Sequence, residues 1–549
     1  MNSGNKKILA NIAWVLCLLA AIVLGFKNLR EPDIWWQLRT GEWIIQHHTV
    51  PFKDIFSFTY EGTPWINVKW GFEVLMQCVA YIGGPEFTPV LQCIANVLIL
   101  VFVMKIYRTL RLNMDSDSSL HLSVPSVSII LSSVILLFIC AFRFIGRPEM
   151  ASHVMVAVFL LFILKNYKNS SKTIYWLIPL EALWANLHEA YGTGTVMVIV
   201  AAIATWLEYF LLTPSPIASP EKPKMPTALS ITAIAVILAP AIHPYGLSMI
   251  IHPFEIFSQV GSNKFTSELV GYMDPLYWHW EAYANLVLFG LGVIFMFLKT
   301  PMSKGIKWLF RPVKSYGLAY TTLFLLFFYL SLTAYRNIPF FIIITIPLFA
   351  NGLDLIYESL KKRSASLGKQ SFSLVGYSLV ILLAAGFYIS IATGKFYKVC
   401  EEGHDSYGLK INAFANPIGS ANYIRDHQLK GNCFTDFLVS SYLLWDLQPD
   451  FKTFIDLRDL DVFPADFFEH VNLLNAQPQL FANIDKVAHF KYAVILRKEL
   501  GAVHKYLVSN PDWKAVYADP VSAVYLKKDS TNPLANSGIV MIIKKGILR

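Results

Sequence analysis

Glu31-Pro-Asp-Ile-Trp-Trp-Gln-Leu-Arg39 follows an apolar run at residues 8–26, close to the start of a 549-residue chain. Nineteen apolar residues can cross the ~30 Å hydrocarbon core of a bilayer as a helix, and they are long for a signal-peptide core. Lys6 and Lys7 precede the run and no convincing small-x-small cleavage site follows, so it reads as an uncleaved first span. The quoted stretch then begins just beyond that span's outer end. Tryptophan favours this depth because its ring is apolar while its indole N–H needs a polar partner. On this reading Trp35, Trp36 and Trp43 are membrane-interface residues, and Asp33 sets a carboxylate at headgroup level, where it can meet a lipid-borne polar substrate.

The rest of the chain fits a membrane protein. Only 15% of the residues are charged and 55% are hydrophobic, against about 25% charged in a soluble domain. Eleven spans are expected, at roughly 8–26, 87–107, 122–142, 149–165, 174–187, 190–212, 227–243, 282–298, 316–334, 338–357 and 372–393. The net charge of +9 does not point to nucleic acid, because residues 394–549 are nearly neutral, with eighteen Lys and Arg against seventeen Asp and Glu. Nineteen of the remaining cations fall in alternate loops, at Lys6/Lys7, Lys105/Arg108/Arg111, Lys165/Lys168/Lys172, Lys222/Lys224, Lys299/Lys304/Lys307/Arg311/Lys314 and Lys361/Lys362/Arg363/Lys369. Positive charge is retained on the cytoplasmic side, so this sorting places the N-terminus inside and the C-terminal region outside.

Three parts follow. Residues 27–86 form a long outer loop whose Trp35–Ile45 segment fits an amphipathic helix along the membrane surface. Asp54–Tyr60 reads as an extended piece, and Trp70–Tyr81 is too short to span, hence interfacial or re-entrant. The bundle runs on to residue 393. Residues 394–549 alternate strand-like and helical runs, as a compact α/β domain would. Strands are expected at Cys433–Asp436, Thr453–Asp456, Tyr492–Arg497, Trp513–Tyr517 and Ser522–Leu526, with helices at about 417–429, 437–446, 464–475 and 500–509. Cys17, Cys78, Cys93 and Cys140 read as small hydrophobes in or near spans, and a pairing of Cys400 with Cys433 stays open.

Ionisable residues gather on the outer side. Asp33, Arg39, Asp54, Lys69 and Glu73 lie in or after the first loop; Arg143, Arg147 and Glu149 end one span and begin the next; His188, His243 and Arg336 sit at span ends. Charge near bilayer depth is costly and normally faces a cavity, so each is a candidate substrate-binding residue, with Asp33 the candidate catalytic one. Cations to hold a phosphate and a carboxylate to deprotonate a hydroxyl are what transfer from a phosphate-bearing lipid requires. Plain structural readings stand beside these: Asp33 as a helix N-cap, Asp54 as a loop cap, Arg143 and Arg147 as partners of Glu149 or of headgroup phosphates. Asp456 and Arg458 read as an ion pair holding the outer domain together. His47-His48 lacks the spacing of a metal site. No metal ligand set and no cofactor are assigned with certainty, and a divalent metal, which Asp54 would help to hold, is left open.

The pattern Asp33-x-Trp35-Trp36, with Leu38-Arg-Thr-Gly-Glu-Trp43, resembles the GT-C superfamily of integral-membrane glycosyltransferases, and most of all its uncharacterised bacterial members. Arg147-Pro-Glu149, Leu183–His188, His243-Pro-Tyr-Gly246, Arg336–Pro339, Tyr442, Trp445 and Ile455–Arg458 extend the resemblance over nearly the whole length. Two positions depart from it: Pro32 separates Glu31 from Asp33, and Gln37 follows the tryptophans. The resemblance implies a polytopic α-helical GT-C-like bundle, residues 1–393, with a C-terminal extracytoplasmic α/β domain, residues 394–549. It further implies an inverting transfer of sugar from a polyprenyl-phosphate-linked donor to an acceptor at the outer face of a bacterial cytoplasmic membrane, with Asp33 as general base. A transporter or flippase of lipid-linked saccharides and a non-catalytic envelope-assembly scaffold are the competing readings. No nucleic acid partner is expected.

Overall fold

Backbone N–H and C=O groups find no water in lipid, so apolar runs of membrane length fold as helices that satisfy themselves. The computed structural model describes residues 3–114, 124–167, 171–211, 225–262, 267–298, 311–363, 369–400, 407–497, 501–528 and 541–542. Lys168, Lys222, Lys224, Lys299, Lys304 and Lys307 of the basic loops lie outside the described residues. The chain divides into two compact units, Met1–Phe26 with Pro89–Tyr407 and Lys27–Thr88 with Gly408–Arg549. The first outer loop, grouped with the bundle by sequence position, thus belongs to the same compact unit as the C-terminal region.

The first unit is helical. Among the described residues, seven helices are long and apolar enough to cross a membrane: Asn5–Gly25, Pro85–Met114, Glu149–Asn166, Glu189–Phe210, Trp280–Phe297, Tyr335–Leu360 and Leu374–Ala392. Val127–Cys140, Thr227–Ala241 and Leu318–Thr333 are apolar but shorter. The span expected at 174–187 does not form. A 3-10 turn, Lys172–Trp176, runs into a nine-residue helix, Leu177–Ala185. At about 1.5 Å per residue it covers less than half the hydrocarbon core. The helix Ile338–Arg363 is the central post: Ile338, Phe341, Ile342, Ile343, Ile344, Ile346 and Leu348 are wholly buried. Gly292 and Gly352 let its neighbours close in, since a Cβ at either would sit within 3 Å of Phe324 or Phe295.

The second unit carries a five-stranded sheet of order β1-β2-β4-β3-β5: β1 Cys433–Thr435, β2 Tyr492–Leu496, β3 Trp513–Ala518, β4 Ser522–Lys527 and β5 Met541–Ile542. β1 pairs parallel with β2, β4 runs antiparallel to both β2 and β3, and β5 is parallel to β3. Four of the five expected strands are present. The fifth, Thr453–Asp456, joins no sheet strand among the described residues and pairs with the extended piece Asp54–Tyr60 through an isolated bridge, Ser57 to Thr453, with Thr59 Oγ1 also donating to the Phe454 carbonyl. Helices Ile418–Asp426, Phe437–Asp446, Ala465–Leu473 and Gly501–Ser509 lie where expected, and Phe481–Ala488 is additional. Cys433 is a free, buried thiol on β1.

Candidate functional site

In the second unit the helix Asp33–His47 is a packed core element and not a raft on the membrane surface. It lies against the helices Trp70–Gly83 and Phe437–Asp446. Trp35 is 0% and Trp36 1% exposed. The Trp35 indole donates to Asn416 Oδ1 at 2.7 Å, and its ring meets Tyr442 edge-on at 4.9 Å and Trp445 at 4.7 Å. Trp36 faces Trp65 at 6.4 Å and takes the Lys69 ammonium over its face at 5.3 Å. Neither ring is therefore a headgroup anchor, because protein partners satisfy both the apolar face and the N–H. Trp43 is half-buried and stacks on His47 at 4.2 Å.

Asp33 opens this helix, following Pro32. It is not the cap itself: its carboxylate accepts the Trp36 indole N–H at 3.2 Å while remaining partly exposed. A carboxylate in a first turn also meets the positive end of the helix dipole. Arg39, one and a half turns on, pairs with Glu42 at 3.2 Å and hydrogen-bonds Gln448.

Asp54 and Glu73 are placed inside the unit, not at its surface. Asp54 is 1% exposed and caps its own loop, accepting from Phe56 N at 2.9 Å and from the Ser57 N–H and hydroxyl. It also holds Arg458 Nη1 at 2.5 Å. The expected Asp456–Arg458 pair is there, with Nε to Oδ1 at 2.8 Å and Nη2 to Oδ2 at 2.7 Å. Trp65 and Phe56 lie under the guanidinium at 4.8 and 5.3 Å. With its oxygens so committed, Asp54 is a structural anchor in this arrangement. Glu73 is wholly buried, takes a hydrogen bond from Asn67 Nδ2 at 2.6 Å, and is pushed up to about 8 by burial, with Asn67, Lys69 and Arg458 pulling the other way.

In the first unit the helix ends around residues 140, 149, 185 and 338 carry a second cluster. Arg143 Nε donates to Glu149 Oε2 at 2.9 Å, and its Nη1 meets Glu268 Oε2 at 2.7 Å. A single nitrogen, Arg147 Nη1, donates to both oxygens of Glu268, at 2.9 and 3.0 Å. Arg336 and His188 stand within electrostatic reach of the Glu149 carboxylate. His188 Nδ1 lies 2.7 Å from Ser152 Oγ, and Ser152 accepts the Trp184 indole at 2.6 Å. His243 is buried, its Nδ1 accepting from Tyr245 N at 3.3 Å, and it stacks on Tyr245.

Three members of this cluster escape the sequence reading. Ser152 and His153 follow Glu149 by three and four residues, a spacing that puts all three on one helix face, with His153 Nε2 4.0 Å from Glu149. That signal was available from the sequence. Glu268 has no such signature, since it reaches the arginines from another loop.

The chain's likenesses lie with solved structures. No family model matches it, and no curated protein matches it by sequence. An oligosaccharyltransferase of Archaeoglobus fulgidus, tethered through a disulfide to an acceptor peptide containing the NVT sequon, superposes with a TM-score of 0.57 at 11% identity, over 95% of this chain and 74% of that one. The same archaeon's AglB, in complex with an inhibitory peptide and a dolichol-phosphate, gives 0.56 at 11% identity, over 97% and 76%. The fold is GT-C. It is mostly helical, with seven helices of membrane length among the described residues and a small C-terminal sheet domain. A third A. fulgidus oligosaccharyltransferase structure, a complex with Zn and sulfate, gives a TM-score of 0.52 at 12% identity over 94% and 73%. Among the described residues of the present chain, no group of three or more His, Cys, Asp or Glu is gathered to hold a metal ion.

Proposed function

We propose that this chain is a membrane glycosyltransferase that moves a sugar from a polyprenyl-phosphate-linked donor to an acceptor, with inversion, at the outer face of a bacterial cytoplasmic membrane. The observation that carries the reading is Asp33: a partly exposed carboxylate, oriented by the Trp36 indole, on a chain with the fold of the A. fulgidus oligosaccharyltransferases. Oligosaccharyltransferases of that fold, solved with an acceptor peptide or a dolichol-phosphate, support the donor and acceptor classes. The basic loops support a cytoplasmic N-terminus and an extracytoplasmic C-terminal region.

In this reading the acceptor's nucleophilic atom attacks the anomeric carbon from the face opposite the phosphate. Asp33 takes the proton that the acceptor loses as the new bond forms. The bond from the anomeric carbon to the phosphate oxygen breaks, and the lipid phosphate departs with the electron pair; within the first unit, Arg143, Arg147 and Arg336 are cations of the kind that stabilise such a group. Glu268 bridges two of these arginines through Arg143 Nη1 and Arg147 Nη1, so a phosphate bound by them would meet an anion already held there.

The test is mass spectrometry of purified full-length protein in lipid, given a panel of polyprenyl-phosphate sugars with candidate acceptors, wild type beside Asp33→Asn. Donor consumption by wild type alone supports the reading. Turnover by Asp33→Asn close to wild type removes Asp33 from the mechanism. Movement of donor across vesicles with no product favours a flippase.

A further inference from the structure

The helix Trp70–Gly83 sorts its side chains the wrong way round for a helix in water. Its fourteen residues include one charged side chain, Glu73, and one amide, Gln77, and both are buried. Phe72 and Met76 complete the buried side, which lies against the helix Asp33–His47 where Gly41 meets the Glu73 carbonyl and the Gln77 Cβ. The opposite side is apolar and bare. Leu75, Cys78 and Ile82 follow one another at helical spacing, with Tyr81 beside them. Leu75 is 43%, Tyr81 57% and Ile82 78% exposed, and Cys78 is an exposed free thiol.

Other helices of the same unit do the reverse. Ile418–Asp426 exposes Asn422, Arg425 and Asp426, and Ala465–Leu473 exposes Asp466, Glu469 and His470. A helix sorts its residues by the medium that each side meets: charge turns outward in water, and turns inward where the outer medium is lipid. The path of the chain supplies that medium. One residue, Gly84, separates the helix from Pro85–Met114, which is long and apolar enough to cross a membrane. A single residue reaches about 3.5 Å, so the end of the bare face stands at the entry of that span. Phe87 folds back there onto Gly83, where an added Cβ would lie 2.8 Å from its side chain. Fourteen residues rise about 21 Å, which can lie along a bilayer but cannot cross its ~30 Å core.

We propose that Leu75, Cys78, Tyr81 and Ile82 form a lipid-docking face, seated at the boundary of headgroups and acyl chains in the leaflet where the span beginning at Pro85 starts. Tyr81 suits that depth, with an apolar ring and a polar tip. The helix Asp33–His47 packs on the other side through Gly41, so the docked face also sets the depth of the helix that carries Asp33, about 8–10 Å away axis to axis. The proposal stands on burial and connectivity, and holds whether or not the chain transfers a sugar.

The test uses full-length Cys400→Ser protein, labelled at Cys78 with an environment-sensitive fluorophore and then reconstituted into nanodiscs. The remaining thiols, Cys17, Cys93, Cys140 and Cys433, are buried. A docked face predicts loss of emission with phospholipid brominated near the headgroup end of its acyl chains, a smaller loss with bromine near the chain ends, and little loss with aqueous iodide. The same fluorophore on Asn422→Cys, with Cys78→Ser, reports a water-facing helix and should show the reverse, quenched by iodide and not by lipid. Iodide quenching at Cys78 equal to that of the Asn422→Cys label overturns the proposal. Protection of the Cys78 label from both quenchers means that a second copy or another protein covers the face, and overturns it as well. Stronger quenching by the deep bromines than by the shallow ones overturns the interfacial depth.

Discussion

The Trp36 indole N–H reaches back three residues to the Asp33 carboxylate at 3.2 Å. Trp36 is itself held between Trp65 and the Lys69 ammonium, so the bond aims the carboxylate from a fixed support. On the glycosyltransferase reading, with Asp33 as general base, Asp33→Asn should abolish sugar transfer. Trp36→Phe keeps a ring but loses the donor, and should lower turnover by roughly tenfold with little change in donor KM, because a general base acts through its placement. Product formation by mass spectrometry measures both. Trp36→Phe turnover equal to wild type would show that the bond does not orient the base.

Gly41 meets the backbone of the helix Trp70–Gly83 directly: a Cβ there would lie 2.2 Å from the Glu73 carbonyl oxygen. The obstruction is backbone on both sides and cannot rotate away. Gly41→Ala should destabilise the second unit by about 2–3 kcal/mol, as overpacking does, despite alanine's better helix propensity. Thermal unfolding followed by near-UV circular dichroism checks it, and an unchanged or raised Tm would contradict the close approach.

Glu73 gives the same helix a pH dependence. Its folded pKa of about 8 lies above the ordinary 4.5 because burial disfavours the charge. Between those values the folded state holds a proton that the unfolded state has lost, so stability falls as pH rises from about 4.5 to about 8 and levels off above. The contribution is on the order of 5 kcal/mol at most. Glu73→Gln should flatten that slope and leave the protein more stable than wild type at pH 8. Parallel stability curves for the two proteins would mean that Glu73 is not the group responsible.

Much of this organisation was legible in the chain because it is local. Uninterrupted apolar runs could only become helices, β2, β3 and β4 announce themselves as β-branched and aromatic runs, and Asp456 and Arg458 are two residues apart. What was not legible depends on distant partners. The fate of Trp35 turns on Asn416, 381 residues away, which satisfies its N–H as a lipid headgroup would have done. Burial of Asp54 likewise needs Arg458, 404 residues on. The failed span at 174–187 has the apolar content of a span but breaks into a 3-10 turn and a nine-residue helix. Glu268 reaches Arg143 and Arg147 from another loop, a meeting that no sequence spacing records.

Arg458 is wholly buried between Asp54 and Asp456 over the faces of Trp65 and Phe56. Removing the cation leaves two carboxylates in a dry site, so Arg458→Met should cost about 3–5 kcal/mol. Arg458→Lys keeps the charge but cannot fork onto Asp456 while also reaching Asp54, and should fall between the two. Denaturant unfolding of the three proteins gives the order. A lysine variant as stable as wild type would show that charge suffices and the forked geometry does not matter.

Glu268 shares its carboxylate between Arg143 and Arg147, at 2.7 to 3.0 Å. A phosphate bound by those arginines must displace or share that anion. Glu268→Gln keeps the shape and the hydrogen-bonding oxygen but removes the competing charge. If the arginines receive the lipid phosphate, this variant should bind a polyprenyl phosphate about three- to tenfold more tightly, the scale of one partly exposed ion pair. Arg147→Gln should weaken binding by a similar factor, and it should also erase the gain when the two changes are combined. Equilibrium binding of a polyprenyl phosphate to the four proteins in nanodiscs closes the cycle. Weaker binding by Glu268→Gln would show that the carboxylate positions the arginines for the ligand rather than competing with it. No change in any variant would remove the cluster from phosphate recognition.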